Sequence, residues 1–238
     1  MKRRFWNWAR DADGGERVLR LEGVIAEESW FGDEATPAMF RDELFAEEGN
    51  VTLWLRSPGG DCFAASQIYT MLMEYPHDVT VKIDSLAASA ASVIAMAGTK
   101  ILMSPTATMM IHNPLTVAIG DSEEMRKAGQ MLSEIKETIV TAYEIKTGLP
   151  RAKISAMMDA ETWLGSGKAV ELGFADGVLY QADAKAEKPG DASVEASFVF
   201  SRMMPVNALL DKLRPGLKQQ NIPKTPVADL DKRLALLK

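Results

Sequence analysis

Val51-Thr52-Leu53-Trp54-Leu55-Arg56 is a strand-like hexad that runs into the turn signal Ser57-Pro58-Gly59-Gly60. A helix should follow, because Ala64, Ile68, Met71, Leu72 and Tyr75 recur three or four apart and make one apolar face. Val79-Thr80-Val81-Lys82-Ile83 then alternates as a second strand. Strand, glycine turn, helix and strand together make a βαβ unit. That unit implies parallel pairing and puts working residues at the carboxyl ends of strands.

The same pattern extends in both directions. Upstream, Val18 to Ile25 reads as a strand. Downstream, the small residues Ala87 to Ala97 predict a buried helix capped by Gly98, and Ile101-Leu102-Met103 and Thr108 to Ile111 predict short strands around a proline turn. Asp121 is placed to cap a long helix, with Glu124 reaching back as a capping box. Met125, Ala128, Leu132, Ile135, Ile139 and Ala142 keep the helical period as far as Gly148. Arg151 to Met158 and Lys168 to Leu172 predict two shorter helices, and Val178-Leu179-Tyr180 a closing strand. The expectation is one α/β domain over residues 16–184, preceded by an N-terminal segment, 1–15. From Lys185 the composition becomes that of a linker, and residues 185–238 are read as linker and basic tail. Four prolines from Pro205 to Pro226 argue against a second core there, and a docking role or partial disorder is expected.

Composition narrows the function classes. The chain has 238 residues, 47% hydrophobic and 25% charged, which suits a folded globular protein. The most apolar run, Leu86 to Gly98, is too short to cross a bilayer, so no membrane role is expected. Net charge is −6, distributed unevenly: residues 202–238 hold eight Lys or Arg against three Asp, a net of +5, leaving −11 for residues 1–201. An acidic body argues against nucleic acid as a partner. Met1-Lys2-Arg3-Arg4 is followed by Phe5-Trp6-Asn7-Trp8 rather than an apolar run, so no secretory signal is read and the cytoplasm is expected. The aromatic Phe5, Trp6 and Trp8 suit either a partner or the body's own core. Cys62 is the single cysteine, and no Cys/His cluster at ligand spacing suggests a metal; no cofactor is expected.

Near-neutral proton transfer most often uses histidine, and this chain has two. His77 lies in the turn Tyr75-Pro76-His77-Asp78 and reads as an exposed turn residue. His112 ends an apolar strand at the break His112-Asn113-Pro114, where a ring can be held rigidly yet remain accessible. Ser89, in Leu86-Ala87-Ala88-Ser89-Ala90-Ala91-Ser92, suits a strand-to-helix turn that lifts a hydroxyl beside backbone N–H groups and a helix dipole. An Ala/Ser run equally serves close helix packing. Ser92, one turn on, should be more buried. Gly59 and Gly60 let the backbone approach a ligand or pair with a peptide, and they lack the lysine of a phosphate-binding loop. Cys62 reads as a small buried thiol rather than a nucleophile.

In order, Ser57-Pro58-Gly59-Gly60, Ala87-Ala88-Ser89, Met110-Ile111-His112-Asn113-Pro114 and Glu161-Thr162-Trp163-Leu164 before Ala169-Val170-Glu171-Leu172-Gly173-Phe174-Ala175-Asp176 resemble the Clp protease proteolytic subunit family. The similarity spans about residues 16 to 181 and looks closest to ClpP-like proteases of tailed phages, where head maturation roles are inferred. The resemblance implies a crotonase-like α/β spiral with Ser89 as nucleophile and His112 as general base. Gly60 and Ala90 would supply oxyanion N–H groups, and Gly59 and Gly60 would contact substrate. Ala90-Ala91 stands where the family usually has Met then Gly, so the turn must tolerate a Cβ at 91. Aligning Trp163-Leu164-Gly165-Ser166 puts Glu161 where the family has Asp, with Asp159 as the rival; on an extended segment both would face the same way. Peptides or proteins are the implied substrates. The implied partners are copies of the chain in a ring, with residues 121–146 at subunit contacts, and either capsid or scaffold proteins or an ATPase unfoldase. Acyl-CoA chemistry on the same fold and a noncatalytic ring component are the competing classes.

Overall fold

A computed structural model describes residues 9–10, 17–29 and 32–180. Expectations for the aromatic N-terminal residues and for the 185–238 tail lie outside the described residues. In chain order the elements are β1 (Ala9–Arg10), β2 (Arg17–Glu22), α1 (Pro37–Leu44), β3 (Val51–Ser57), α2 (Cys62–Glu74), β4 (Val79–Ala88) and α3 (Ala90–Ala95). They continue with β5 (Lys100–Met103), β6 (Thr108–Ile111), α4 (Ser122–Thr147), α5 (Arg151–Asp159), β7 (Thr162–Gly165), α6 (Ser166–Glu171) and β8 (Gly177–Val178).

The sheet runs β1-β2-β3-β4-β5-β8, with β2 through β8 parallel along that path, and β6 and β7 branch from β4. Alternation does the sorting: Leu19, Leu21, Leu53, Leu55, Val81 and Ile83 are fully buried on one face, each contributing about 2 kcal/mol by leaving water. Helix α2 starts where the sequence turns, because Asp61 accepts from the N–H groups of Phe63 and Ala64, both at 2.8 Å. Helix α1 was not anticipated. Its signal is Thr36-Pro37: the threonine side chain caps the helix and proline occupies its first turn.

Strand β4 departs most from the sequence reading. Residues Ala87 and Ala88, expected in a helix, belong to the strand, and α3 begins only at Ala90. The reason is a change of neighbour. Thr80 to Ile83 pair with β5, while Leu86, Ala87 and Ala88 pair with Thr108, Met109 and Met110 of β6. Ala87 also faces Ser57 of β3 after a register shift, so fully buried small residues let strands close in on both sides. Helix α3 ends at Ala95 with Met96 as its cap, so Gly98 is not the cap. Glycine is needed there for packing, since a Cβ would lie 2.7 Å from Val81 Cγ2.

Helix α4 is capped by Asp121 as expected, through the N–H groups of Glu123 and Glu124. Glu124 pairs with Lys127 at 2.8 Å in place of the expected return bond. The helix stops at Gly148, in the left-handed conformation. Its apolar stripe is not a core face throughout: Ala142 is buried and Ile139 packs against the core, whereas Met125 is exposed. The preceding segment is alike, with Leu115, Val117 and Ile119 exposed. No helix among the described residues is long and apolar enough to cross a membrane.

Candidate active site

Strand β4 ends at Ala88, and Ser89 turns the chain into α3 with φ 57° and ψ −126°. A side chain rarely adopts that conformation, and such strain collects at functional sites. Two backbone bonds impose it. The Ser89 N–H donates to the Met110 carbonyl at 2.8 Å, and the Ser92 N–H donates to the Ser89 carbonyl at 2.9 Å. The half-buried hydroxyl is thereby raised above the sheet. His112, one residue beyond the end of β6, meets it: Ser89 Oγ and His112 Nε2 are 2.7 Å apart. Two side chains 23 residues apart in sequence are brought into hydrogen-bond contact.

The glycine turn lies against this elbow. A Cβ on Gly59, at φ +95°, would lie 2.7 Å from the Ala88 oxygen and from Ser89 Cβ, and 3.0 Å from the Ala90 nitrogen. Only glycine lets the turn approach so closely. Ile25 donates its N–H to the Gly59 carbonyl at 3.0 Å and accepts from Asp61 N–H at 2.9 Å. In that parallel bridge pattern the N–H of Gly60 itself faces away from Ile25. Ala90 opens α3, so its N–H has no carbonyl four residues back to bond. The helix is six residues long, so main-chain N–H groups matter here more than a macrodipole. Ala91 is fully buried and adopts helical geometry, so the turn accommodates its Cβ.

Under the serine lies a polar floor that sequence reasoning did not anticipate. Ser92 is fully buried, as its place one turn on implies. Its hydroxyl donates to the Ser89 carbonyl at 2.5 Å and sits 2.8 Å from the Tyr143 hydroxyl. With the Ser92 proton committed, Tyr143 is the donor in that pair. Burial pushes the Tyr143 phenol well above its ordinary range, the Ser92 bond opposing and Cys62 adding. A pocket of about 330 Å³, open to solvent, is lined by Ser89, His112, Tyr143 and Cys62 together with Ala65, Ser66, Ala90, Val93, Pro114 and Ile139. Cys62 is half-buried rather than fully buried. Burial, then Asp61, raises its thiol, which keeps it protonated and a poor nucleophile. His77 sits in the turn before β4, at the opposite end of that strand from Ser89, half-buried and edge-on to Tyr75 with ring centroids 5.5 Å apart.

The two candidate acids do not share an extended segment. Asp159 is the last residue of α5, Ala160 caps that helix, and Glu161 follows with φ 49°. The helix simply runs further than read, so strand alternation does not apply. Antiparallel β6 and β7 pair Thr108 with Gly165 through Ile111 with Thr162. His112 follows β6 and Glu161 precedes β7, each one residue beyond the paired ends of that ladder. The Glu161 carboxylate accepts from Trp163 Nε1 at a long 3.4 Å. Asp159 is engaged elsewhere, by Asn113 Nδ2 at 2.8 Å and Lys136 Nζ at 2.6 Å. The Lys136 bond, then the Asn113 bond, hold the Asp159 carboxyl below the usual carboxylate range. Among the described residues no His, Cys, Asp and Glu gather to hold a metal ion.

Known proteins carry the same stretch. An ATP-dependent Clp protease proteolytic subunit of Porphyromonas gingivalis is 30% identical over 132 residues, 55% of this chain and 60% of that protein. Subunit 2 from Thermobifida fusca is 31% identical over 134 residues, 56% of this chain and 66% of its own length. Subunit 1 from Mycobacterium bovis is 28% identical over 148 residues, 60% of this chain and 74% of its own length. The chain thus spans somewhat under two thirds of the first two relatives. Residues 18–182, from the second residue of β2 to just past β8, match the Clp protease family, and on that match the chain belongs to it.

Proposed function

We propose that the chain is a serine endopeptidase that cleaves peptide bonds through an acyl-enzyme. The observation that carries this reading is the 2.7 Å contact between Ser89 Oγ and His112 Nε2 at a strained strand-to-helix elbow. With the Nε2 lone pair facing the hydroxyl, His112 takes the Ser89 proton as Oγ attacks the peptide carbonyl. The N–H groups of Gly60 and Ala90 receive the negative oxygen, and His112 returns the proton to the leaving amine. A water activated the same way then releases the acid. Glu161 is the acid of the triad: the β6–β7 register favours it, and Asp159 is occupied by Lys136. Its carboxylate orients the ring and stabilises imidazolium without taking the proton.

A fluorophosphonate probe tests the reading. Labelling of Ser89 is expected in the wild type, absent in Ser89→Ala, sharply reduced in His112→Ala and retained in Ser92→Ala. Labelling that persists in Ser89→Ala overturns it, and no labelling or cleavage at all leaves a noncatalytic ring component. For the acid, Glu161→Gln should lose at least about a hundredfold in kcat while Asp159→Asn, which keeps an oxygen acceptor, stays active. Intact activity in both would mean a Ser/His dyad.

The relatives are named proteolytic subunits of an ATP-dependent protease, and with the sequence resemblance this supports a second, finer reading: a subunit of a ring-shaped proteolytic chamber served by a separate ATPase unfoldase. The exposed apolar residues of segment 115–119 and helix α4 suit contacts between subunits. Processing of capsid or scaffold proteins during phage head assembly rests on the sequence resemblance alone. Cleavage of a folded substrate only when an unfoldase and ATP are added favours the first role. Direct cleavage of capsid protein without ATP favours the second.

A further inference from the structure

Strand β6 loses its β7 partner after Ile111, so the chain at His112 and Asn113 has left the ladder. His112 must still keep Nε2 within hydrogen-bond reach of Ser89 Oγ, where a displacement of about 1 Å costs as much as a hundredfold in rate. A fixed point lies next door. Asn113 Nδ2 donates to Asp159 Oδ1 at 2.8 Å, and Lys136 Nζ donates to the same oxygen at 2.6 Å. Asp159 closes α5 and Lys136 lies within α4, so the end of β6 is joined to both helices.

Each member of the cluster constrains the next. The Lys136 side chain is 18% exposed against 56% for Asp159, so the cation is the shielded partner and holds the carboxylate from the protein side. Asn113 Oδ1 is buried and finds no hydrogen-bond partner among the described residues. The bond to Asp159 therefore sets the orientation of the amide. A flip would turn Oδ1 toward the carboxylate, acceptor against acceptor. We propose that Lys136, Asp159 and Asn113 form a strut that positions the main chain after His112, and through it the imidazole, against the corner of α4 and α5. The three are positioning residues, and the inference rests on the reading of His112 as the base.

The strut predicts coupled losses. Asp159→Ala and Asn113→Ala should each lower kcat roughly tenfold with KM changed less than about twofold, and the double variant should fall no further than either single one. His77 is the only other histidine, so the His112 ring resonances are separable by NMR; they should shift in both variants while those of His77 hold still. Asn113→Asp sets two carboxylates face to face and should be worse. Combining it with Asp159→Asn exchanges the roles of amide and carboxylate, and should restore both kcat and the ring resonances. Unchanged His112 resonances and kcat in Asp159→Ala, or failure of the exchanged pair to recover while folded, overturn the strut. A loss in Asp159→Ala as deep as in His112→Ala also overturns it, making Asp159 the acid. If the wild type neither cleaves nor labels, the protease reading fails by itself, and the ring resonances still decide the strut.

Discussion

The backbone N–H of Ser89 donates to the carbonyl of Met110 at 2.8 Å, tying the elbow that carries the Ser89 hydroxyl to the strand that leads into His112. His112 follows two residues later, so the gap between hydroxyl and imidazole is spanned by a short, hydrogen-bonded stretch of main chain on each side. The Ser89–His112 contact is thus set mainly by the backbone, and the side chains finish the alignment.

Strain at Ser89 should be measurable as stability. Glycine adopts φ 57° without a Cβ penalty, so Ser89→Gly should be more stable than Ser89→Ala by about 1 kcal/mol. Urea denaturation of the two variants checks this. Equal midpoints would mean that the elbow is unstrained.

The floor beneath the serine has a direction, from Tyr143 to Ser92 to the Ser89 carbonyl. Ser92→Ala leaves the buried Tyr143 donor without its acceptor and should cost about 1–3 kcal/mol. Tyr143→Phe leaves the Ser92 proton on the Ser89 carbonyl, so its cost should be smaller, about 1 kcal/mol. Reversal of that order in urea titrations would reverse the assigned donor.

Alkaline pH should erode the fold. The Cys62 thiol and the Tyr143 phenol are both raised by burial, so the folded state holds their protons longer than the unfolded chain does. Their contribution is fully present below the unfolded values and is lost as pH rises past them, from about 9 for a thiol and about 10 for a phenol. The urea midpoint should therefore hold steady from neutrality to about pH 9 and fall above it. Cys62→Ala should remove the earlier part of the fall, and Tyr143→Phe the later part.

Two glycines of the turn should resist substitution for different reasons. At Gly60, φ is +150° and an added Cβ would overlap the Ile25 carbonyl, so Gly60→Ala should cost about 2–3 kcal/mol. At Gly59 the overlap is with Ser89 itself, so Gly59→Ala should reduce probe labelling more than its loss of stability explains. Retained labelling in folded Gly59→Ala would show that the elbow can shift without harm.

Segment 115–119 should carry assembly. Val117 and Ile119 are 78% and 93% exposed, and each isolated side chain would be ordinary, but Leu115, Met125 and Met131 are exposed within the same short stretch of chain. Val117→Asp with Ile119→Asp should lower the sedimenting mass while leaving circular dichroism unchanged. An unchanged mass would place subunit contacts elsewhere.

Much of the site could be read from residue order because Ser89 and His112 sit at breaks in pattern, where an apolar strand meets a turn. The βαβ core was equally legible, since Val79, Val81 and Ile83 alternate with Thr80 and Lys82. Other features leave no such trace. Alanine favours helix in isolation, and the placement of Ala87 and Ala88 in β4 depends on β6 lying beside them, 22 residues away. The stripe on α4 is periodic, yet periodicity does not say what covers it. Lys136, Asp159 and Asn113 come together only through tertiary folding, so spacing made Asp159 a candidate acid where the fold gives it two other partners.

The change of neighbour midway along β4 bears on how this chain tolerates insertions and deletions. Ser89 and Met110 are anchored to each other at the ends of adjacent strands, so gaining or losing one residue in β4 after Ile83 or in β6 would turn alternate side chains to the opposite face and separate the hydroxyl from the ring. The stretch from Leu115 to Gly120, outside any strand or helix, is free of that constraint. Length variation among related chains should stay out of 84–89 and 108–112.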